Sequence, residues 1–244
     1  MSSLFYFMLT LKGQKILIIA PHPDDEVLGA GGLIVRAKRE GAKVYVLYMT
    51  VGTTKDFSKK GISTQDERIN EMKKVASFLK LDGYKISLPG NEHHLRLDIV
   101  AQKKLIHEIE RGEKISLQKI KPTMLITCHT QDYNQDHRAV GHASITATRP
   151  QPDGDKSLQR IVLAYEYPPS AWTDRETLPC PNVFVSIKQK DILAKMKAMK
   201  LYRSQLKNGN GALSLRAVKA LAQIRGAQCG VEYAEAFFAK RLLT

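Results

Sequence analysis

Pro21-His22-Pro23-Asp24-Asp25-Glu26 sets an imidazole beside consecutive carboxylates within six residues. A second concentration of such groups runs from His129 to Arg138 and contains Asn134-Gln135-Asp136-His137. Groups of this kind are costly to bury without a partner, and a bound metal is the economical explanation. Two histidines and one carboxylate, His22, His137 and Asp25, suit a zinc ion that keeps an open fourth position. Water bound there would have a pKa near ~7 and supply hydroxide at neutral pH. Asp24 adjoins a ligand and is a natural general base. Asp136 precedes His137 and is expected to orient it. Taken singly, His22 and Asp25 could be a capped helix N-terminus, and Asp136-His137 could be surface polarity. Their joint placement argues against both.

That placement depends on the elements around them. The first cluster follows the apolar run Ile16–Ala20, and the second follows Met124-Leu125-Ile126. Each precedes a helix-like stretch. Strand-like runs are expected at Lys15–Ala20, Lys43–Met49, Tyr84–Leu88, Thr123–Cys128, Arg160–Tyr165 and Val183–Ile187. Helices are expected over Val27–Arg39, after the capping box Thr64-Gln65-Asp66-Glu67, and over Leu97–Glu110. This alternation predicts an α/β, Rossmann-like, mostly parallel sheet with helices on both faces. In such a sheet both clusters open on the edge where ligands bind, at the carboxyl ends of the strands. His22, Asp25 and His137 can then meet although 112 residues separate the last two. His129 reads as a supporting or rim residue. His93, His94, His107 and His142 have no comparable setting and receive no role.

No long Gly/Ser linker splits the 244 residues, so one domain over 1–244 is expected. Cys128, Cys180 and Cys229 form no CxxC pair, and a reducing compartment follows. The apolar run Leu4–Leu9 is too short to span a bilayer and lacks the flanks of a secretory signal. It reads as a segment packed on the core, with Met8 a candidate start. Net charge is +14, and residues 181–244 alone carry 12 basic and three acidic residues. Such a field attracts phosphorylated ligands or anionic membranes. No nucleic-acid motif accompanies it, so no nucleic acid is expected as a partner. Residues 51–63 and the proline-rich 166–182 around Trp172 are long enough to be binding loops.

PHPDDE after a buried strand, with a later Asp-His pair, resembles the LmbE-like or PIG-L-like zinc-dependent N-deacetylases. Thr50-Val51-Gly52 is similar to that family's T-x-G, and Arg68 with Glu71 to its R-x-x-E helix. Asn134–Arg138 and Thr148-Arg149-Pro150 resemble a bacterial branch, as do Tyr202-Arg203-Ser204-Gln205, Arg225-Gly226 and the run from Gly230 to Phe237. The resemblance implies one zinc per chain on His22, Asp25 and His137, with Asp24 as base and Arg68 holding substrate. It implies hydrolysis of the N-acetyl group of an amino sugar, such as an N-acetylglucosamine glycan or glycoconjugate. A metal hydrolase or de-N-acylase acting on another amide is the alternative. Many relatives carry a histidine three residues before the ligand histidine; here Asn134 stands there. Asparagine can donate to an oxyanion but cannot deliver a proton. The expected location is cytoplasmic, with room for peripheral contact with an anionic membrane or a phosphorylated glycan; oligomer formation stays open.

Three rivals are weaker. The same donor set forms the facial triad of iron(II) oxygenases, but these turns join strands to helices. Gly29-Ala30-Gly31-Gly32 fails as a dinucleotide loop, because Ile34 stands where the third glycine belongs. A basic binding protein without activity would not need four intact site positions.

Overall fold

The computed structural model describes residues 10–55, 61–150, 157–173, 180–206 and 209–243. The Leu4–Leu9 run and Met8 lie outside them, as do parts of the two long loops. In chain order the elements are β1 (Lys15–Ala20), α1 (Asp25–Arg39), β2 (Lys43–Val51), β3 (Thr54–Lys55), β4 (Ile62–Ser63), α2 (Gln65–Phe78) and β5 (Gly83–Pro89). There follow α3 (Gln102–Arg111), α4 (Leu117–Ile120), β6 (Met124–Thr127), α5 (Gln135–Ala147) and β7 (Ile161–Tyr165). The last are β8 (Val183–Ile187), α6 (Gln189–Leu201), α7 (Leu215–Gln228) and β9 (Tyr233–Leu242).

Seven strands make one sheet in the order β5-β2-β1-β6-β7-β9-β8, and β3 pairs with β4 as a separate ribbon. The first five strands of that order are parallel; β9 runs antiparallel to both β7 and β8. β1, β6 and β7 are buried almost throughout, as expected of strands covered on both faces. Helices α1, α2, α6 and α7 pack among themselves, and α3, α4 and α5 form a second group, so the sheet is sandwiched between two layers.

The chain leaves β1 toward β2 and β5 on one side, and β6 toward β7 on the other. The order therefore reverses between β1 and β6, which are direct neighbours with Ile16 opposite Met124 and Ile18 opposite Ile126. Open α/β sheets bind ligands at such a switch point. One strand spacing thus removes the sequence separation of the two polar clusters.

The expected strands all form, but two features differ from the sequence reading. Leu97–Glu110 is not one helix: a 3-10 turn at Leu97–Ile99 ends in extended backbone at Val100 before α3 begins. Ile99 is exposed, while Leu97, Leu105 and Ile109 are buried. The second feature is β9, which the apolar pattern did not reveal. Glu235 interrupts it, and its partner is an inner segment of α1. Helical geometry breaks at Ala30 (φ −142°, ψ 18°). The amides of Gly32 and Leu33 donate instead to Glu235 at 2.8 and 2.7 Å. Lys195 of α6 donates to the freed carbonyl of Leu28 at 2.8 Å and to Glu235 at 2.6 Å. A buried ion pair thus replaces a turn of the helical ladder. The glycines around it serve close packing: a Cβ on Gly29 would lie 2.3 Å from the Tyr165 ring.

Candidate active site

Pro21 ends β1 in a turn whose next residues carry the first cluster. Asp24 caps α1 with φ 114° and ψ −28°, a left-handed conformation that costs an L residue of this kind about 1–3 kcal/mol. Its amide donates to Glu26 Oε2 at 3.1 Å, and Glu26 Oε1 accepts the Tyr202 hydroxyl at 2.6 Å. Burial pushes the Glu26 carboxyl up to about 7 against the pull of that hydroxyl. The motif's final acid therefore works from beneath, holding the turn.

His22, Asp25 and His137 are buried, and one candidate ligand atom from each lies within 4.8 Å of the others. Asp25 Oδ2 is 3.3 Å from His22 Nδ1 and 3.3 Å from His137 Nε2. Ligands about 2.0–2.1 Å from a tetrahedral ion stand roughly 3.3 Å apart, so the spacing fits zinc. The far side of each ring is held by a carboxylate. His22 Nε2 lies 2.9 Å from Asp136 Oδ2; a carboxylate only accepts, so Nε2 donates to it and Nδ1 is the nitrogen left for a metal. His137 Nδ1 faces Asp132 Oδ2 at 3.4 Å and the Tyr167 hydroxyl at 3.3 Å. Both rings thus turn their remaining nitrogen toward Asp25, where a metal would take the place of a proton.

The electrostatics ask for a cation. Burial pushes the Asp25 carboxyl up, but the two facing imidazoles outweigh it and hold it well below the usual range. Burial lowers His137, but Asp25 and Asp132 together push it up to about 10. A proton fills that demand in the metal-free protein, and a divalent ion would displace it. Asp24 behaves oppositely: burial, then the charge of Asp25, raises its carboxyl well above the ordinary value, with Arg68 opposing.

The residues border an open cavity of about 150 Å³. Arg68, Asn134, Asp24 and His94 line it. Arg68 is buried; its Nη1 donates to Gly52 O at 3.3 Å, Thr54 Oγ1 at 3.1 Å and His94 Nε2 at 2.7 Å. Asn134 caps α5, its Oδ1 accepting the Asp136 amide at 2.9 Å, so its NH2 is the remaining donor. Asp136 is placed differently from the sequence reading. Its oxygens meet His22 and the Leu97 amide, so it orients His22 and not the histidine it precedes. His129 packs on Phe238 with ring centres 4.6 Å apart and accepts the Gln131 amide.

Sequence reasoning missed three residues. His94 lies on the cavity wall with its ring 5.3 Å from that of His22. Burial, then the Arg68 charge, lowers it to about 3, so it stays neutral. Only its place in the loop after β5, on the ligand edge of the sheet, could have signalled it. Gly52 admits it, since a Cβ there would come 2.5 Å from His94 Cβ. Asp132 and Tyr167, the supports of His137, also sit just after parallel strands. The carboxyl-terminal motifs support the same region: Ser204 donates twice to Glu71, at 3.0 and 2.6 Å, and Gln205 reaches the cavity.

Comparison with known proteins gives the family and the fold. The PIG-L family profile, described as GlcNAc-PI de-N-acetylase, matches residues 17–148. An uncharacterized deacetylase, YaiS, of Escherichia coli K12 is 28% identical over 198 residues, covering 79% of this chain and 92% of its own. The conserved protein TT1542 of Thermus thermophilus superposes with a TM-score of 0.71 at 27% identity, covering 95% of this chain and 96% of its own. N,N'-diacetylchitobiose deacetylase of Pyrococcus horikoshii shares the fold at 22% identity (TM-score 0.69; 93% of this chain, 83% of its own). So does a 4-carboxy-2-hydroxymuconate hydratase from Pseudomonas putida KT2440, at 19% identity and a TM-score of 0.69 (94% of this chain, 98% of its own). The fold alone therefore does not fix the reaction.

Proposed function

The chain belongs to the PIG-L family, and on that premise we propose that it is a zinc-dependent hydrolase that removes the N-acetyl group of an amino sugar. The observation that carries the reading is the set His22 Nδ1, Asp25 Oδ2 and His137 Nε2, gathered beside a buried, high-pKa Asp24. One zinc per chain, held by His22, Asp25 and His137, would acidify water and polarise the acetyl carbonyl.

The remaining work falls to side chains. Asp24 takes a proton from the attacking water as the oxygen adds to the acetyl carbon. Its raised pKa suits this, because the proton must be held through the addition and then released. Asn134 donates its free amide N–H to the developing oxyanion. Asp24 then gives the proton to the departing nitrogen, the C–N bond breaks, and acetate and a free amine leave. Asn134 cannot supply that proton, so Asp24 serves both half-reactions. Arg68, fixed by Gly52, Thr54 and His94, binds substrate oxygens at the cavity wall. Asp136 and Asp132 keep the ligand rings in register.

The family description supports this substrate class, and an enzyme named for diacetylchitobiose shares the fold. Zinc-loaded protein incubated with N-acetylglucosamine derivatives should release acetate and a primary amine in equal amounts. No acetate from any acetamido sugar, with release from a simple N-acyl amide, would replace the sugar reading by a general de-N-acylase.

A further inference from the structure

One 3-10 turn, Pro168–Trp172, stands at the cavity, where Pro169 forms part of the wall. Side chains three residues apart on such a turn eclipse one another, with a rise of about 2.0 Å per residue. Trp172 therefore falls on the same side of the turn as Pro169. The following residue is pinned to the same mouth: the Tyr133 amide donates to Thr173 Oγ1 at 3.2 Å, and Tyr133 also lines the cavity. Trp172 is 83% exposed and Tyr133 45%. An indole left this open has a large apolar face that a ligand can cover, and the half-exposed Tyr133 at the cavity adds to it.

We propose that Trp172 and Tyr133 form an aromatic platform for the second sugar ring of an N-acetylated disaccharide or longer glycan. The proposal rests on the deacetylase reading, which puts the reacting acetamido ring beside Asp24. A ring linked to it has to leave through the mouth, past Pro169 and Tyr133. Pyranose rings offer flat C–H faces that stack on aromatic rings while their hydroxyls seek hydrogen bonds. The wall supplies both kinds of contact, with Leu95 and Leu213 set among Thr54, Asn134 and Gln205. That mixture suits a hydroxylated ring better than an alkyl chain.

Trp172 is the only tryptophan in the chain, so its fluorescence reports on this site alone. Titrating the zinc-loaded Asp24→Asn protein with N,N'-diacetylchitobiose should shift or quench the emission saturably, and N-acetylglucosamine should not. In the active enzyme, Trp172→Ala should raise KM for the disaccharide about 10-fold, the loss of one good aromatic contact. It should leave kcat and the monosaccharide KM within two-fold, and Trp172→Phe should restore most of the disaccharide affinity. Emission unmoved by the disaccharide, together with equal KM values in Trp172→Ala, would overturn the platform while acetate release left the deacetylase reading standing. Emission that responds without acetate release would do the reverse. A response to the octyl glycoside of N-acetylglucosamine, and none to the disaccharide, would overturn the proposal in favour of an alkyl chain.

Discussion

The floor and the rim of the cavity are built on opposite terms. On the floor the metal-facing groups are committed: Asp136 spends both oxygens, His22 and His137 are each held from behind, and Asp24 sits in a strained turn tied to Glu26. At the rim, Tyr133, Leu95 and Trp172 are open to water. The floor holds a few atoms through several contacts each, as metal and proton chemistry need. The rim leaves surface free for whatever the acetamido group is attached to. On the proposed reading, reaction and substrate range belong to different parts of the molecule.

The contrast breaks most visibly at Asp24. Asp24→Asn should lower kcat about 10²–10⁴-fold, the range for losing a general base, while zinc content stays at one per chain. Asp24→Gly should be equally inactive yet melt higher, because glycine accepts the φ of 114° without strain. If the glycine variant melts lower, the turn is not strained.

Beneath the floor, Lys195→Met leaves the Glu235 carboxylate buried without its partner. A loss of about 3–5 kcal/mol in urea unfolding is expected. A neutral result would mean that the helix break at Ala30 does not depend on that pair.

Glu26 gives a pH signature. Its carboxyl is held at about 7 in the fold against 4.5 as the ordinary value. The folded protein therefore binds the extra proton between these values, and the stability this confers is full below pH 4.5 and lost as pH rises through 7. The gap is worth about 3 kcal/mol. Glu26→Gln should remove that slope, so unfolding curves of the two proteins should converge or cross between pH 4.5 and 7. Parallel curves would show that Glu26 is ionised throughout.

Asp136→Asn should weaken zinc binding about 10–100-fold without unfolding the chain, the usual cost of losing a carboxylate behind a ligand histidine. At the far end of the scale, Leu95→Ala on the rim should change stability by no more than about 0.5 kcal/mol and kcat by less than two-fold. A large kcat effect there would erase the distinction between floor and rim.

Much of the floor was legible because the fold writes it locally. PHPDDE follows one apolar strand and Asn134–His137 another, and a parallel sheet sends both to one edge. What was hidden depends on the third dimension. Asp136 looks like the natural neighbour of His137, yet α5 turns its carboxylate toward His22. His94 lies in a polar loop, and only the depth of Gly52 beneath it shows why it belongs in the wall. β9 lacks a strand pattern because Glu235 points into α1, where a broken helix needs an acceptor. The Tyr202 and Ser204 contacts to Glu26 and Glu71 join motif residues whose pairing nothing in the sequence indicates.

Zinc stoichiometry, measured on wild-type protein and on the His22→Ala/His137→Ala double variant after loading and desalting, tests the shared centre most directly. One equivalent in the wild type and none in the folded double variant is the expected result. Equal zinc in both, or none in either, would contradict a site built by the turns after β1 and β6.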